Sequence, residues 1–145
     1  MDKIYKIYKR FTDEGCRCDF TVIVSRENLV ENQKKYPGIC FKTSRISYST
    51  VLRKIASTRC ILELCAEGQD GLTMRFYESV FYNKLLITNN QTAKLSNLFN
   101  SRYMQIINIP EDIDIQLVKT VEDITYEYHD ENSPKKLMEA IKYSA

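Results

Sequence analysis

The segment that follows the apolar run ending at Cys65 combines glycines with a cation and a carboxylate. Gly68 and Gly71 are two of the four glycines in the chain, and both precede an amphipathic stretch that begins at Leu72. A glycine turn leading into a helix N-terminus presents free N–H groups and the positive end of the helix dipole, which suit a phosphate. Glycine is also common wherever a chain simply has to turn, so that alternative stays open.

Helical spacing gives this segment a polar face. Gly71, Arg75 and Glu78 stand at i, i+4 and i+7 and therefore lie on one side of the predicted helix. A carboxylate two turns into the helix could accept hydrogen bonds from two neighbouring ribose hydroxyls. The alternative is an ordinary i, i+3 ion pair between Arg75 and Glu78 on a solvated face, contributing a few tenths of a kcal/mol.

Strands and helices alternate around this segment. Short β-branched and apolar runs predict strands at residues 19–25, 60–65 and 84–88, with weaker candidates at 39–42 and 104–109. Apolar residues at helical spacing predict helices at 3–13, 49–56, 72–82, 113–128 and 134–143. Ser47 or Ser49 is the expected N-cap of the second of these helices.

The alternation predicts the fold class. Strands that are apolar throughout and separated by helices indicate a parallel sheet covered on both faces. We expect one doubly wound, Rossmann-like α/β domain with a mainly parallel sheet of about five strands, spanning residues 1–145. In such folds ligands bind beyond the carboxyl ends of the strands.

Composition narrows the class of protein. Hydrophobic residues make up 43% and charged residues 28% of the 145, as in folded globular domains. No run approaches the roughly 20 apolar residues of a membrane span, and no secretory signal is evident, so we expect a cytoplasmic protein. The five cysteines suit reduced thiols, and His129 is the only histidine, so we expect no metal site.

Charge is unevenly distributed along the chain. Residues 1–60 carry 13 Lys and Arg against 6 Asp and Glu, whereas residues 111–145 carry 4 against 9. A basic surface could face anionic ligands or lipid headgroups, or simply be solvated. The spacing of Ile4, Ile7 and Phe11 favours a first helix packed on a sheet. We therefore expect no nucleic-acid partner and at most peripheral membrane contact.

The residues between Cys60 and Asn90 resemble a known family. The sequence Gly-Leu-Thr-Met-Arg at 71–75, followed by Glu78 and by Lys-Leu-Leu-Ile-Thr-Asn-Asn at 84–90, is similar to bacterial glycosyltransferases of the GT-B fold. The resemblance is to the C-terminal, donor-binding half of enzymes of lipopolysaccharide or capsular polysaccharide biosynthesis. It extends more loosely over residues 19–117.

The resemblance implies a ligand and roles for particular residues. The ligand is a nucleotide-diphosphate sugar, bound without a metal or other cofactor. The backbone N–H groups of Gly71, Leu72 and Thr73 hold its diphosphate, to which Thr73 could add its hydroxyl. Arg75 is a phosphate partner or a structural brace, and Glu78 takes the ribose.

Two further contacts with the donor are expected. The base lies against the turn at residues 43–46, which ends at Ile46. Arg26, just past the first strand, is a second candidate for the diphosphate because arginine binds phosphate in a bidentate manner. A plain surface charge at Arg26 is the alternative.

The chain departs from the family in length, since GT-B enzymes have two such domains and this chain has room for one. The acceptor site and any general base would then belong to a complementary domain or subunit, and no catalytic residue is identified here. The alternative is a non-catalytic nucleotide-sugar-binding module or partner subunit. A receiver-type signalling domain is disfavoured, because the strands ending at Ser25, Cys65 and Thr88 provide no acceptor aspartate.

Overall fold

A computed structural model describes residues 1–128 as a mixed α/β arrangement with five helices and five strands in this part of the chain. The helices are α1 (Asp2–Asp13), α2 (Arg26–Lys35), α3 (Tyr48–Ser57), α4 (Met74–Phe81) and α5 (Ile115–Thr120). The strands are β1 (Thr21–Ile23), β2 (Cys40–Lys42), β3 (Cys60–Glu63), β4 (Leu85–Thr88) and β5 (Met104–Ile106). Two 3₁₀ segments lie at Gln91–Leu95 and Pro110–Asp112.

All pairings between these strands are parallel, as the sequence predicts. The first ladder joins β1 to β2 and aligns Ile23 with Lys42. The second runs β3–β4–β5 and aligns Glu63 with Thr88 and Thr88 with Ile106. Parallel strands end at the same edge, so the residues that follow β3 and β4 lie side by side.

The strands do not form the single sheet of about five strands that the sequence predicts. Within residues 1–128 they form two separate ladders, with no strand pairing between β1 and β3. The alternation of strands and helices indicates parallel neighbours because it reflects burial on both faces. The alternation does not show which strands form hydrogen bonds with each other. The three-residue β1 has few backbone N–H and C=O groups with which to pair with a second strand.

Side-chain caps set the starts of two helices near the site. Ser47, one of the two predicted N-caps of α3, accepts a hydrogen bond from the Thr50 N–H at 3.3 Å. Thr73 caps α4 by accepting from the N–H groups of Arg75 and Phe76 at 3.1 and 3.3 Å. Such caps typically stabilise a helix by about 1 kcal/mol. Helix α4 therefore begins immediately after the turn that contains Gly71.

The larger core surrounds β4, which is buried at all four positions. Ile7 and Phe11 of α1 are in this core, which confirms the predicted apolar face of that helix, and Phe76 and Val80 of α4 join them. Phe20 packs against this core and also against a second, smaller cluster, whose buried members are Tyr36, Ile39 and Phe41.

The helix predicted at residues 113–128 is wrong beyond Thr120, where α5 ends. Tyr126 explains the change of path, because its ring is buried and its hydroxyl donates to the Lys84 carbonyl at 2.9 Å. Its N–H donates to the Asn83 side-chain oxygen at 3.2 Å. These contacts with a distant part of the sequence hold residues 121–128 in a non-helical conformation.

Helix α2 has no counterpart among the predicted helices. None of its residues is buried. Its sequence therefore carries no apolar stripe at helical spacing, which is the pattern that predicted the other helices. The predicted helix at 134–143 and the predicted exposed position of His129 lie outside the described residues. None of the helices described is long and apolar enough to cross a membrane.

Candidate functional site

A buried carboxylate lies at the carboxyl end of β3. Glu63 ends this strand with its side chain inside the protein, and its Oε2 accepts a hydrogen bond from the Thr88 hydroxyl at 2.6 Å. Its Oε1 accepts one from the Thr73 hydroxyl. Glu63 therefore ties together the ends of two strands and the start of α4.

Two asparagines after β4 fix the loop that follows β3. Asn89 accepts from the Cys65 N–H at 2.7 Å and donates to the Cys65 carbonyl at 3.0 Å. Asn90 donates to the Gly71 carbonyl at 2.8 Å. Burial, and secondarily the charge of Glu63, raises the pKa of the Cys65 thiol, so this cysteine is a poor nucleophile near neutral pH.

The turn itself has the conformation that glycine favours. Gly71 adopts a φ of +98°, and Gly68 adopts +77°. A Cβ built on Gly71 meets no atom within 4 Å, so its Cα faces open space. A ligand could therefore approach the backbone closely at this position.

Glu78 is almost fully enclosed, at 2% exposure. Its Oε1 accepts a hydrogen bond from the Tyr48 hydroxyl at 2.9 Å, and its Oε2 forms an ion pair with Arg75. The hydrogen bond to Glu78, followed by partial burial, raises the pKa of the Tyr48 phenol. The i, i+3 ion pair between Arg75 and Glu78 is therefore present. From the sequence such a pair is expected on a solvated helix face, whereas the Glu78 carboxylate is buried.

The structure constrains two of the roles that the resemblance implies. The Thr73 hydroxyl caps α4 and donates to Glu63, so its proton is already committed within the protein. Arg75 is engaged with Glu78, which is the brace arrangement. Leu72 and Gly71 lie in the turn before α4, where their N–H groups form no backbone hydrogen bond with the described residues.

The other two predicted residues lie beyond the carboxyl edge of the first ladder. Arg26 opens α2, directly after the chain leaves β1, and it is exposed. Ile46 is half-buried in the connection from β2 to α3, two residues before Tyr48. The N–H of Val24 donates to the Lys42 carbonyl at 2.9 Å, which holds these two connections together where they begin.

Electrostatics differ between the two ladder edges. Glu67 and Asp70 are exposed in the loop that contains Gly71, and the only nearby cation on α4 is paired with Glu78. At the other edge Arg26, Lys42 and Arg45 are exposed and form no ion pair with a described residue. Three exposed cations without an ion pair to a described residue therefore lie at or just past the carboxyl ends of β1 and β2.

Sequence reasoning did not assign two residues of this site, Tyr48 and Glu63. A carboxylate inside the apolar run Cys-Ile-Leu-Glu-Leu-Cys is a detectable signal for Glu63, because an isolated buried charge needs specific partners. Tyr48 carries no such signal, because its contact with Glu78 joins residues 30 positions apart. In the described part of the chain no group of three or more His, Cys, Asp or Glu side chains is arranged to hold a metal ion.

Comparisons with protein families, with curated proteins and with solved structures find no match to this chain. Function is therefore inferred from the chemistry of the site together with the sequence resemblance to GT-B glycosyltransferases. The site offers a backbone turn open to an anion, an enclosed carboxylate that accepts hydroxyl groups, and unpaired cations at the neighbouring edge. Hydroxyl and phosphate groups together are characteristic of a nucleotide.

Proposed function

We propose that this chain is the donor-binding half of a glycosyltransferase of bacterial surface-polysaccharide biosynthesis, resembling one half of a GT-B fold. Its ligand is a nucleotide-diphosphate sugar. In this proposal the two parallel ladders are parts of one doubly wound, Rossmann-like domain. Phe20, which packs against both hydrophobic clusters, supports that arrangement.

The hydrogen bond between Tyr48 and Glu78 is the observation that carries the proposal. It joins the start of α3, immediately after the turn expected to receive the base, to the carboxylate expected to receive the ribose. A nucleoside can contact the turn with its base and the Glu78 carboxylate with its ribose only if the two lie no farther apart than the length of one nucleoside. Tyr48 satisfies that requirement with one side chain, since its hydroxyl lies 2.9 Å from the carboxylate.

The phosphates extend from the ribose toward the basic edge and the glycine turn. Gly71 faces open space, and the hydrogen bond from Asn90 to its carbonyl fixes the direction of the turn. Arg26, Lys42 and Arg45 supply the positive charge that the turn itself lacks. Arginine forms paired hydrogen bonds to phosphate, whereas lysine acts as a point charge.

The chemistry follows from this binding mode. A sugar hydroxyl of the acceptor attacks the anomeric carbon, and the nucleotide diphosphate leaves with the bonding electrons. The cations and backbone N–H groups stabilise the negative charge that develops on the diphosphate. A complementary acceptor-binding domain or subunit orients the attacking hydroxyl and receives its proton.

Titration of the isotope-labelled chain with UDP- and GDP-linked sugars tests the proposal. Amide NMR signals of residues 71–73 and of Glu78 should shift in a saturable manner with at least one of these ligands. Free glucose, which lacks phosphate and nucleoside, is the control and should leave them unchanged. If both classes of ligand at millimolar concentration leave these signals in place, the proposal is wrong.

A further inference from the structure

We infer that the Tyr48 hydroxyl and a ribose hydroxyl of the ligand compete for the same carboxylate oxygen, Oε1 of Glu78. The inference rests on the proposed function, because it takes the ligand to be a ribonucleotide. It adds that binding proceeds by exchange: the phenol leaves the carboxylate as the sugar hydroxyl arrives. Tyr48 thereby sets the affinity of the site for ligands that carry ribose hydroxyls.

The two partners of this hydrogen bond differ sharply in exposure. Glu78 is 2% exposed and is fixed on α4 between core residues, whereas Tyr48 is 53% exposed at the first position of α3. A half-exposed aromatic side chain can change rotamer without disturbing the core. The buried carboxylate cannot follow it, so the tyrosine is the partner that moves.

The other oxygen of Glu78 has a different kind of partner. Its Oε2 forms an ion pair with Arg75, which lies one turn earlier on the same helix. That pair joins opposite charges within one element, so a neutral hydroxyl is a poor competitor for it. The neutral phenol on Oε1 is chemically equivalent to a sugar hydroxyl, which makes Oε1 the exchangeable position.

The exchange has a consequence that depends on the ligand. A ribose hydroxyl forms a hydrogen bond to Oε1 only when the hydrogen bond from the Tyr48 phenol is broken. The loss of that bond reduces the net free energy of binding. A ligand without ribose hydroxyls has nothing to place on Oε1 and leaves Tyr48 where it is. Removal of the Tyr48 hydroxyl should therefore favour ribonucleotides and make no difference to dideoxynucleotides.

The test compares Tyr48→Phe with the wild-type chain by calorimetric titration of UDP and GDP and of their 2′,3′-dideoxy forms. The matched control is Tyr82→Phe, because Tyr82 is a neighbouring phenol whose hydroxyl donates no hydrogen bond to a described residue. Tyr48→Phe should lower the dissociation constant of a ribonucleotide by about 3- to 10-fold, the equivalent of one displaced hydrogen bond. The dideoxy forms should bind both proteins equally, and the control should change neither value.

The outcomes separate this inference from the proposed function. Ribonucleotide binding that Tyr48→Phe leaves unchanged or weakens overturns the exchange while the donor site stands. If neither protein binds any of the four nucleotides, the proposed function and the exchange are both overturned.

A measurement on the wild-type chain decides the matter if Tyr48→Phe does not fold. The bond to Glu78 raises the pKa of the Tyr48 phenol. Carbon-13 NMR titration of labelled tyrosine should show that pKa fall toward its ordinary value when UDP or GDP is bound. A Tyr48 pKa that ribonucleotide binding does not lower overturns the exchange.

Discussion

Glu63 and Thr88 are register partners on neighbouring parallel strands, and their side chains are joined by a 2.6 Å hydrogen bond inside the protein. The Thr88 hydroxyl donates to the carboxylate and accepts from the Asn90 N–H at 2.9 Å. Thr73 acts similarly at the start of α4, since it donates to Glu63 and accepts from backbone N–H groups. The Glu63 carboxylate thus accepts hydrogen bonds from two threonine hydroxyls at the base of the candidate site.

Glu63→Gln should lower the free energy of unfolding by about 1–3 kcal/mol, the cost of an unsatisfied buried polar group. The new amide NH₂ needs an acceptor, but the Thr73 hydroxyl already accepts hydrogen bonds from two backbone N–H groups and the Thr88 hydroxyl accepts one. Chemical denaturation measures the loss. Glu67→Gln is the matched control, and because Glu67 is exposed its effect should stay within about 0.5 kcal/mol. Equal stability of both variants would show that Glu63 does not tie the site together.

Glu78→Gln should weaken nucleotide-sugar binding by about 1.5–3 kcal/mol, roughly 10- to 150-fold, because a neutral amide accepts hydroxyl protons less strongly than a carboxylate. Calorimetry with the ligand identified by titration measures the change. Glu122→Gln is the control, because Glu122 is exposed and far from the candidate site. It lies near Arg59 and Lys84, at the amino ends of β3 and β4, whereas the candidate site lies at their carboxyl ends. An unchanged dissociation constant for Glu78→Gln would remove its ribose role.

Arg75→Ala distinguishes a brace from a phosphate ligand. The substitution removes the cationic partner of a carboxylate that is 2% exposed, so the free energy of unfolding should fall by about 1–3 kcal/mol. The melting temperature reports this change. A brace also leaves affinity for inorganic phosphate and pyrophosphate unaltered, whereas loss of that affinity at constant stability would show that Arg75 contacts the ligand.

Gly71→Ala should destabilise the protein by about 1–2 kcal/mol, since φ is +98° and no neighbouring atom obstructs a methyl group. Gly38→Ala is a useful comparison, because its φ is +93° and a Cβ there would overlap the Tyr8 hydroxyl group. The second variant should lose more stability than the first in the same denaturation assay. Gly71→Ala alone should also weaken nucleotide-sugar binding, because its methyl group projects into the open space at the turn.

The half-buried thiols of Cys18 and Cys60 predict a loss of stability at alkaline pH. Burial raises the pKa of Cys60 to about 12 and that of Cys18 to about 11, above the ordinary thiol value. Between pH 9 and 12 the unfolded chain loses these protons first, so the free energy of unfolding should fall as pH rises through this range. Denaturation curves from pH 8 to 11 measure the fall. Cys60→Ala and Cys18→Ala should each reduce the slope, and an unaltered slope in both variants would contradict this assignment.

Thiol reactivity tests the same burial by an independent route. Cys40 is exposed, whereas the thiols of Cys18 and Cys60 have raised pKa values and therefore little thiolate near neutral pH. A thiol-specific reagent at pH 7.5 should modify Cys40 first in the folded chain. Cys18 and Cys60 should react at a comparable rate only after unfolding in urea. Rapid modification of Cys60 in the folded chain would show that its surroundings are open.

The sequence by itself determined the parallel α/β character and the order of most elements. All five predicted strands are present, although each is shorter than predicted, and the helices α1, α3 and α4 lie where apolar spacing predicts them. These predictions are correct because an element buried on one or both faces has apolar residues at regular spacing in the sequence. Helix α2 buries nothing and so has no such spacing.

Tertiary structure alone decided the partners of each side chain. The sequence placed Arg75 and Glu78 on one helix face, but only the tertiary structure buries Glu78 and brings Tyr48 of α3 to its carboxylate. Pairing among strands, the end of α5 at Thr120 and the buried Glu63 network were likewise decided by contacts between distant residues. Local periodicity reflects which side of an element is buried, whereas hydrogen bonds between elements depend on where the folded chain places them.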